Sequence, residues 1–253
     1  MSGHSKWSTI KHKKAITDAR RGQAFTKLAR EIEMAAREGG GDIETNFSLR
    51  LAIENARNAN MPKDNVERAI KRGTGEDKDG AKMEQIYYEG YAPHGIAVML
   101  KCITDNRNRT VSDIRHILSK AGGSMGDSGS VAWQFSNVSY FEIPAEGNDY
   151  DTIFELALEA GAEDVTEDGD YIRIVGPVEI FKTTHDLLQD KGIDVESSGL
   201  RLQPNQEIAL DLEKTLQVVG VIEKLEELFD IQEVYSNLEI SDEALEKLAE
   251  ADD

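Results

Sequence analysis

Apolar positions recur at helical spacing in the first part of the chain and then switch to alternation. Phe25, Leu28, Ala29, Ile32, Ala35 and Ala36 form one i, i+3, i+4, i+7 stripe, which predicts an amphipathic helix from about Ala15 to Glu38. Gly39, Gly40 and Gly41 end it, because glycine readily takes the left-handed conformation of a helix cap. Leu49, Ala52, Ile53 and Ala56 predict a second helix. Pro62 opens a third, which carries Val66, Ala69 and Ile70 before Gly73. Three short helices with small apolar faces make a helical domain. Residues 1–14 show no such period and read as an extended arm.

Beyond that point, alternation predicts strands at Ile86–Tyr91 and Ile96–Ile103, with Ile96, Val98, Leu100 and Cys102 on one face. A helix follows over about Asn108–Ala121, with Thr110 and Asp113 at capping-box spacing and a cap one or two residues earlier as the alternative. Val131–Phe135 and Val138–Ile143 read as further strands. A helix carrying Ile153, Phe154, Leu156, Ala157 and Ala160 comes next, then a hairpin turning at Asp168–Gly169. Pro177 opens another helix, which buries Phe181, Leu187 and Leu188. Strands at Val195–Leu202 and Glu207–Leu210, a helix over Leu212–Phe229, a strand at Ile231–Tyr235 and an acidic tail complete the order.

Segment 138–204 contains a full set of elements for one α/β unit, which leaves 86–136 to pair with 206–236. The expected fold class is therefore α+β with three domains: an N-terminal helical domain plus two ferredoxin-like α/β domains, one inserted in the other. The expected bounds are 1–80 for the arm and helical domain, 81–136 with 205–240 for the discontinuous domain, 137–204 for the inserted one, and 241–253 for the tail.

Charge changes the picture more than composition does. The 253 residues carry a formal charge of −19, yet the first thirty hold eight Lys and Arg against one acid, Asp18. Up to Gly75 there are 15 basic and 9 acidic residues; from Glu76 onward there are 14 and 39. An acidic protein that gathers its cations at one end directs that end at an anion, and nucleic acid is the abundant large one. A solvated tail that binds nothing would look similar in composition alone.

Other chemistry finds little support. No apolar run approaches the roughly 20 residues needed to cross a bilayer. No secretory signal is present. The basic N-terminus resembles a transit peptide, but it runs unbroken into a core-facing helix. A single cysteine, Cys102, rules out an intramolecular disulfide and suits a reducing cytoplasm; mid-strand, it reads as a small buried hydrophobe. The five histidines are scattered, and lysines beside His4 and His12 would repel a metal ion. The run Gly122–Ser130 follows a helix and precedes a strand, the reverse of a phosphate-cradling loop. No metal, cofactor, small-molecule substrate or catalytic residue is expected.

Two basic groupings remain. In the arm, Trp7 sits among Lys6, Lys11, His12, Lys13 and Lys14. The cations suit phosphates and the indole suits an unpaired base, although Trp7 could equally anchor the arm on the helical domain. The second is Arg107 and Arg109 at a helix start, with Arg115 and His116 one to two turns on. Forked guanidiniums suit phosphates, while Asp105 and Asp113 offer them local ion pairs instead.

Gly3-His-Ser-Lys-Trp7, Lys11-His-Lys-Lys14, Arg21-Gly22, Phe25-Thr-Lys27, Met61-Pro62, Tyr88-Glu-Gly-Tyr91 and Thr104-Asp-Asn-Arg-Asn-Arg-Thr110 together resemble the YebC family. The resemblance spans essentially the whole chain and is weakest over 145–205. That family includes bacterial proteins described as transcriptional regulators and mitochondrial translational activators of cytochrome c oxidase; members are reported to bind promoter DNA or to associate with ribosomes. The resemblance implies the three-domain arrangement. It makes His4, Lys6, Trp7, Lys11, His12, Lys13, Lys14, Arg20, Arg21, Lys27, Arg107 and Arg109 candidate nucleic-acid contacts. With Met1 two residues before Gly3 there is no room for a presequence, so a bacterial cytoplasmic protein is implied.

The expected function is a non-enzymatic regulator of gene expression acting on ribosomal RNA or promoter DNA, with the ribosome as a candidate partner and no membrane. The rival reading is a protein-interaction module whose acidic α/β domains bind a basic partner. No helix-turn-helix is evident, and the acidic body would be repelled by duplex DNA lying across it, which favours RNA entered by a short arm.

Overall fold

The computed structural model describes residues 18–76 and 83–250. Helices α1 (Asp18–Gly39), α2 (Phe47–Asn58) and α3 (Lys63–Gly73) come first. They bury Ile32, Ala36, Leu49, Ile53, Ala56, Val66 and Ala69 against one another. The stripe that predicted α1 is the face that packs. Small residues let α1 and α3 approach closely: a Cβ on Gly73 would lie 2.4 Å from the Glu33 carbonyl oxygen and 2.7 Å from the Ala36 Cβ. Asn46 closes the intervening turn. Its Oδ1 accepts from the Leu49 N–H as the α2 cap, while its Nδ2 donates to the Ala35 and Gly40 carbonyls.

The chain then forms β1 (Glu84–Tyr91), β2 (Ala97–Thr104), α4 (Arg107–Lys120) and β3 (Ser124–Met125). Next come β4 (Phe135–Pro144), α5 (Tyr150–Ala160), β5 (Asp164–Asp168), β6 (Tyr171–Pro177), α6 (Phe181–Asp190) and β7 (Ser197–Pro204). The last elements are β8 (Ile208–Ala209), α7 (Leu212–Glu226), β9 (Ile231–Ser236), β10 (Leu238–Glu239) and α8 (Asp242–Glu250). The protein is α+β, with an N-terminal helical domain and two ferredoxin-like α/β domains, one inserted in the other.

In the inserted domain β4 to β7 and two helices run in β-α-β-β-α-β order, and the antiparallel sheet is ordered β5-β6-β4-β7. The other sheet is ordered β3-β1-β2-β9. Its strands occupy the same positions, but the chain enters on a central strand. β1 and β2 are joined as a hairpin, α4 crosses from β2 to β3 on the far side of β1, and β9 closes on β2. Leu100, Cys102, Ile114, Leu118, Val218, Ile222 and Val234 fill the core between this sheet and its helices.

Several local expectations shift. Val131 does not open a strand: a short 3-10 turn over Ala132–Gln134 precedes a single unbroken β4, because the Val131 and Ala132 amides point at the Glu89 carboxylate. Asn106, not Thr110, caps α4, its Oδ1 accepting from the Arg109 N–H. Pro177 ends β6, and α6 begins only at Phe181 after a 3-10 turn. From the segment Glu207–Leu210 only Ile208 and Ala209 pair, in parallel with β10 and outside both main sheets. Most of the stretch read as an acidic tail is a helix, α8, which buries Ala244 and Leu245 on the same core as α7. Acids on its outward face hid that short apolar stripe.

Candidate nucleic-acid interface

The arm residues His4, Lys6, Trp7, Lys11, His12, Lys13 and Lys14 lie outside the described residues, as do the side chains of Arg20 and Arg21. The structure shows what holds the helix that follows them. Gln23 Nε2 donates to the Glu227 carbonyl at 3.0 Å. One turn on, Lys27 Nζ donates to the Glu226 carbonyl at 3.0 Å and the Gln232 carbonyl at 3.4 Å. A further turn on, Arg30 Nη1 donates to the carbonyls of Phe229 and Ile103 at 2.6 and 2.9 Å. Residues 23, 27 and 30 share one face of α1, so a polar stripe docks this helix on the end of α7 and the turn before β9.

Lys27 is therefore a docking residue. Burial pushes its ammonium pKa down, against the pull of Glu233 and Glu31. Among the described residues, its charged end is turned into the seam rather than outward.

The seam converges on Asp230, which is 4% exposed. Its carboxylate accepts from Arg30 at 3.3 Å, from Thr110 Oγ1 at 2.8 Å, from Thr104 Oγ1 at 3.2 Å and from Arg109 Nη2 at 2.8 Å. Burial alone would raise its pKa; the hydrogen bonds from Arg109 and Thr110 and the charges of Arg109 and Arg30 outweigh that and hold it below the ordinary aspartate value. The Arg30 guanidinium also lies 3.7 Å from the centre of the Phe229 ring.

The second predicted grouping is thus engaged within the fold. Arg109 is shared between Asp230 and Asp105. Arg107 forms a two-pronged pair with Glu84. Local ion pairing, left open by the sequence, is what the structure shows, although Asp105 and Glu84 provide it and Asp113 does not. The cations of α4 that have no ion pair among the described residues lie further along: Arg115 and Lys120, which with His116, Ser112 and Ser119 line an open depression on the outward face of the helix.

A second polar cluster gave no motif in the sequence. Lys101, the one charged residue of β2, meets Glu233 of β9 at 2.9 Å and Glu31 of α1 at 3.5 Å, and Tyr235 donates to Glu233 at 2.7 Å. Burial would lower the Lys101 pKa, but the two carboxylates more than reverse this and raise it. A lysine inside the apolar run Ala97–Thr104 was the available signal. The helical domain also meets the inserted one. Phe47 packs edge-on to Phe181 and to His185, whose Nε2 lies 3.2 Å from Glu54.

The remaining candidates for chemistry have structural partners. The glycine-rich loop after α4 aims the amides of Gly129, Val131 and Ala132 at the Glu89 carboxylate, at 2.6, 2.7 and 2.9 Å. An internal anion fills the place a phosphate would need. Cys102 is fully buried, and burial pushes its thiol pKa up to about 12. Among the described residues no group of three His, Cys, Asp or Glu side chains is arranged to hold a metal ion, and no helix is long and apolar enough to cross a membrane.

Comparison with known proteins covers nearly the whole chain. A profile described as the TACO1/YebC protein N-terminal domain matches residues 5–76, and one for the TACO1/YebC second and third domain matches 83–238. A probable transcriptional regulatory protein of Rubrobacter xylanophilus is 50% identical over 98% of this chain and 100% of its own length. One of Desulforapulum autotrophicum is 48% identical over 98% and 100%. The crystal structure of a conserved hypothetical protein, Aq1575, from Aquifex aeolicus matches with a TM-score of 0.84 at 43% identity, over 90% of this chain and 94% of that one.

Proposed function

The chain belongs to the TACO1/YebC family, and from that premise we propose that it is a non-enzymatic regulator of gene expression that binds nucleic acid through its basic N-terminal arm. The names of its relatives support a regulatory role. The observation that carries the contact is the charge split: the first thirty residues hold eight Lys and Arg and one acid, on a protein of formal charge −19. The docked face of α1 adds to it, because Gln23, Lys27 and Arg30 fasten the helix that follows the arm to the discontinuous α/β domain.

The acidic body sets the mode of approach. A phosphate polymer laid broadly along the α/β domains would meet a large excess of carboxylates, so the leading contact is made by the arm entering the target. Folded RNA offers pockets and unpaired bases for such an entry, and Trp7 supplies a stacking surface. RNA, with the ribosome as its setting in a cytoplasm, is the favoured target and promoter DNA the other.

Crosslinking in cells followed by sequencing of attached RNA and DNA separates them. Enrichment of ribosomal RNA supports the RNA form and enrichment of promoter fragments the DNA form. Crosslinks to neither, with a basic protein recovered instead, replaces this function with a protein-interaction role for the acidic domains.

A further inference from the structure

Resting on the nucleic-acid reading above, we infer that the outward face of α4 is a second phosphate-backbone contact, made by Arg115 and Lys120 with Ser112, His116 and Ser119 beside them. From Ser124 to the C-terminus there are 7 Lys and Arg against 32 Asp and Glu, whereas α4 alone holds Arg107, Arg109, Arg115 and Lys120 against Asp113. Two of these four cations are used internally, Arg107 on Glu84 and Arg109 on Asp230 and Asp105. Arg115 and Lys120 have no ion-pair partner among the described residues and stand exposed. Other exposed cations, Arg57, Arg68, Lys182 and Lys224 among them, also lack an ion-pair partner among the described residues; on α4 two such cations lie beside hydroxyls around one open depression.

Their spacing fits a polymer. Ser112, Arg115, His116, Ser119 and Lys120 fall at i, i+3, i+4, i+7 and i+8, a single stripe about 12 Å long at 1.5 Å per residue. The two cations are separated by about 7.5 Å along the axis and by about 140° around it, so they flank the hydroxyls and reach a backbone lying between them from either side. Guanidinium and ammonium bind phosphate oxygens by charge, and the flanking hydroxyls add neutral hydrogen bonds that also suit phosphates. Such contacts carry no base sequence, so the surface positions the target and leaves discrimination to other contacts.

The location fits a two-point grip. The Asp230 seam that holds α1 also holds the first turn of α4, through Thr110 and Arg109. The helix that carries the arm and the helix that carries this stripe are therefore fixed to one carboxylate.

The test compares the full chain with Arg115→Glu/Lys120→Glu, its neutral counterpart Arg115→Gln/Lys120→Gln, and the arm variant Lys11→Glu/Lys13→Glu/Lys14→Glu. The probes are a fluorescent RNA hairpin and a DNA duplex of matching sequence, titrated across a range of salt. The α4 reversal is expected to weaken binding at least tenfold and to lower the slope of log K against log salt by about one to two, since each phosphate contributes roughly 0.7–0.9. The neutral pair is expected to give a smaller loss in the same direction, and it replaces the reversal if the latter melts early. A response on the hairpin alone assigns the surface to RNA; a response on both probes assigns it to backbone of either kind. Unchanged affinity and slope in both α4 variants, while the arm variant loses binding, overturns this inference and leaves the arm reading standing. No binding by the unaltered chain to either probe overturns both.

Discussion

Arg30 on α1 and Asp230 in the turn before β9 meet at 3.3 Å, each side chain only 5% exposed. The pair joins the helical domain to the discontinuous α/β domain across 200 residues of sequence. Its two ends are not equivalent. Asp230 also serves Arg109, Thr104 and Thr110, whereas Arg30 retains the carbonyls of Ile103 and Phe229 without it. Removing one partner of a buried pair strands the other charge. Asp230→Ala is therefore expected to cost about 3–5 kcal/mol, and Arg30→Met about 1–3 kcal/mol. Urea unfolding of both variants checks the order; equal costs would contradict the role of Asp230 as the shared acceptor.

The same carboxylate sets an acid limit. Its pKa in the fold lies below the ordinary 3.8, so its contribution is complete above the unfolded value and is lost as pH falls through the folded one. Stability is expected to hold down to about pH 5 and then fall toward pH 2. Asp230→Asn should start lower and decline less steeply over that window. Thermal melts at successive pH values compare the two slopes.

Glu89 is expected to organise the loop after α4. Burial raises its pKa, but the amides of Gly129, Val131 and Ala132 reverse the effect and hold it below the usual glutamate range. Glu89→Ala leaves these donors unpaired at a site where Glu89 itself is 8% exposed, with a cost of about 2–4 kcal/mol. Glu89→Gln keeps one acceptor oxygen and loses less. Hydrogen exchange at the Val131 amide reports the loop directly: it should accelerate strongly in the alanine variant.

Gly73→Ala inverts the ordinary helix preference. Alanine is normally better than glycine in a helix by about 1 kcal/mol. Here the added methyl meets the Glu33 carbonyl and the Ala36 Cβ, so a net loss of about 1–3 kcal/mol is expected from the forced separation of α1 and α3. A rise in melting temperature would contradict the close packing.

What the sequence made legible was whatever has a period. Phe25, Leu28 and Ile32 announced α1, and the paired runs around Tyr88 and Leu100 announced the β1–β2 hairpin. The insertion followed from element order. Contacts made by single residues across domains carry no period, so Asp230 as a hub could not be read in advance, and for Lys101 the sequence offered a lysine in an apolar run but not its partners Glu31 and Glu233. The candidate contacts were legible only as cation-rich segments. The fold sorts the described ones by partner: Lys27 and Arg109 turn into the seam and Arg107 pairs with Glu84, while Arg115, which the sequence placed only beside that grouping, and Lys120, which it did not single out, are left outward. Sequence spacing cannot make that distinction, because the deciding carboxylates lie 23 and 121 residues away.

The proposed nucleic-acid contact of the arm is tested by the salt-dependent affinity of Lys11→Glu/Lys13→Glu/Lys14→Glu for a structured RNA against that of the unaltered chain. The unaltered chain is expected to show a steep fall of log K with log salt, and the variant to lose binding at every salt concentration while its melting temperature is unchanged. Equal affinity and equal slope in the two proteins would contradict it.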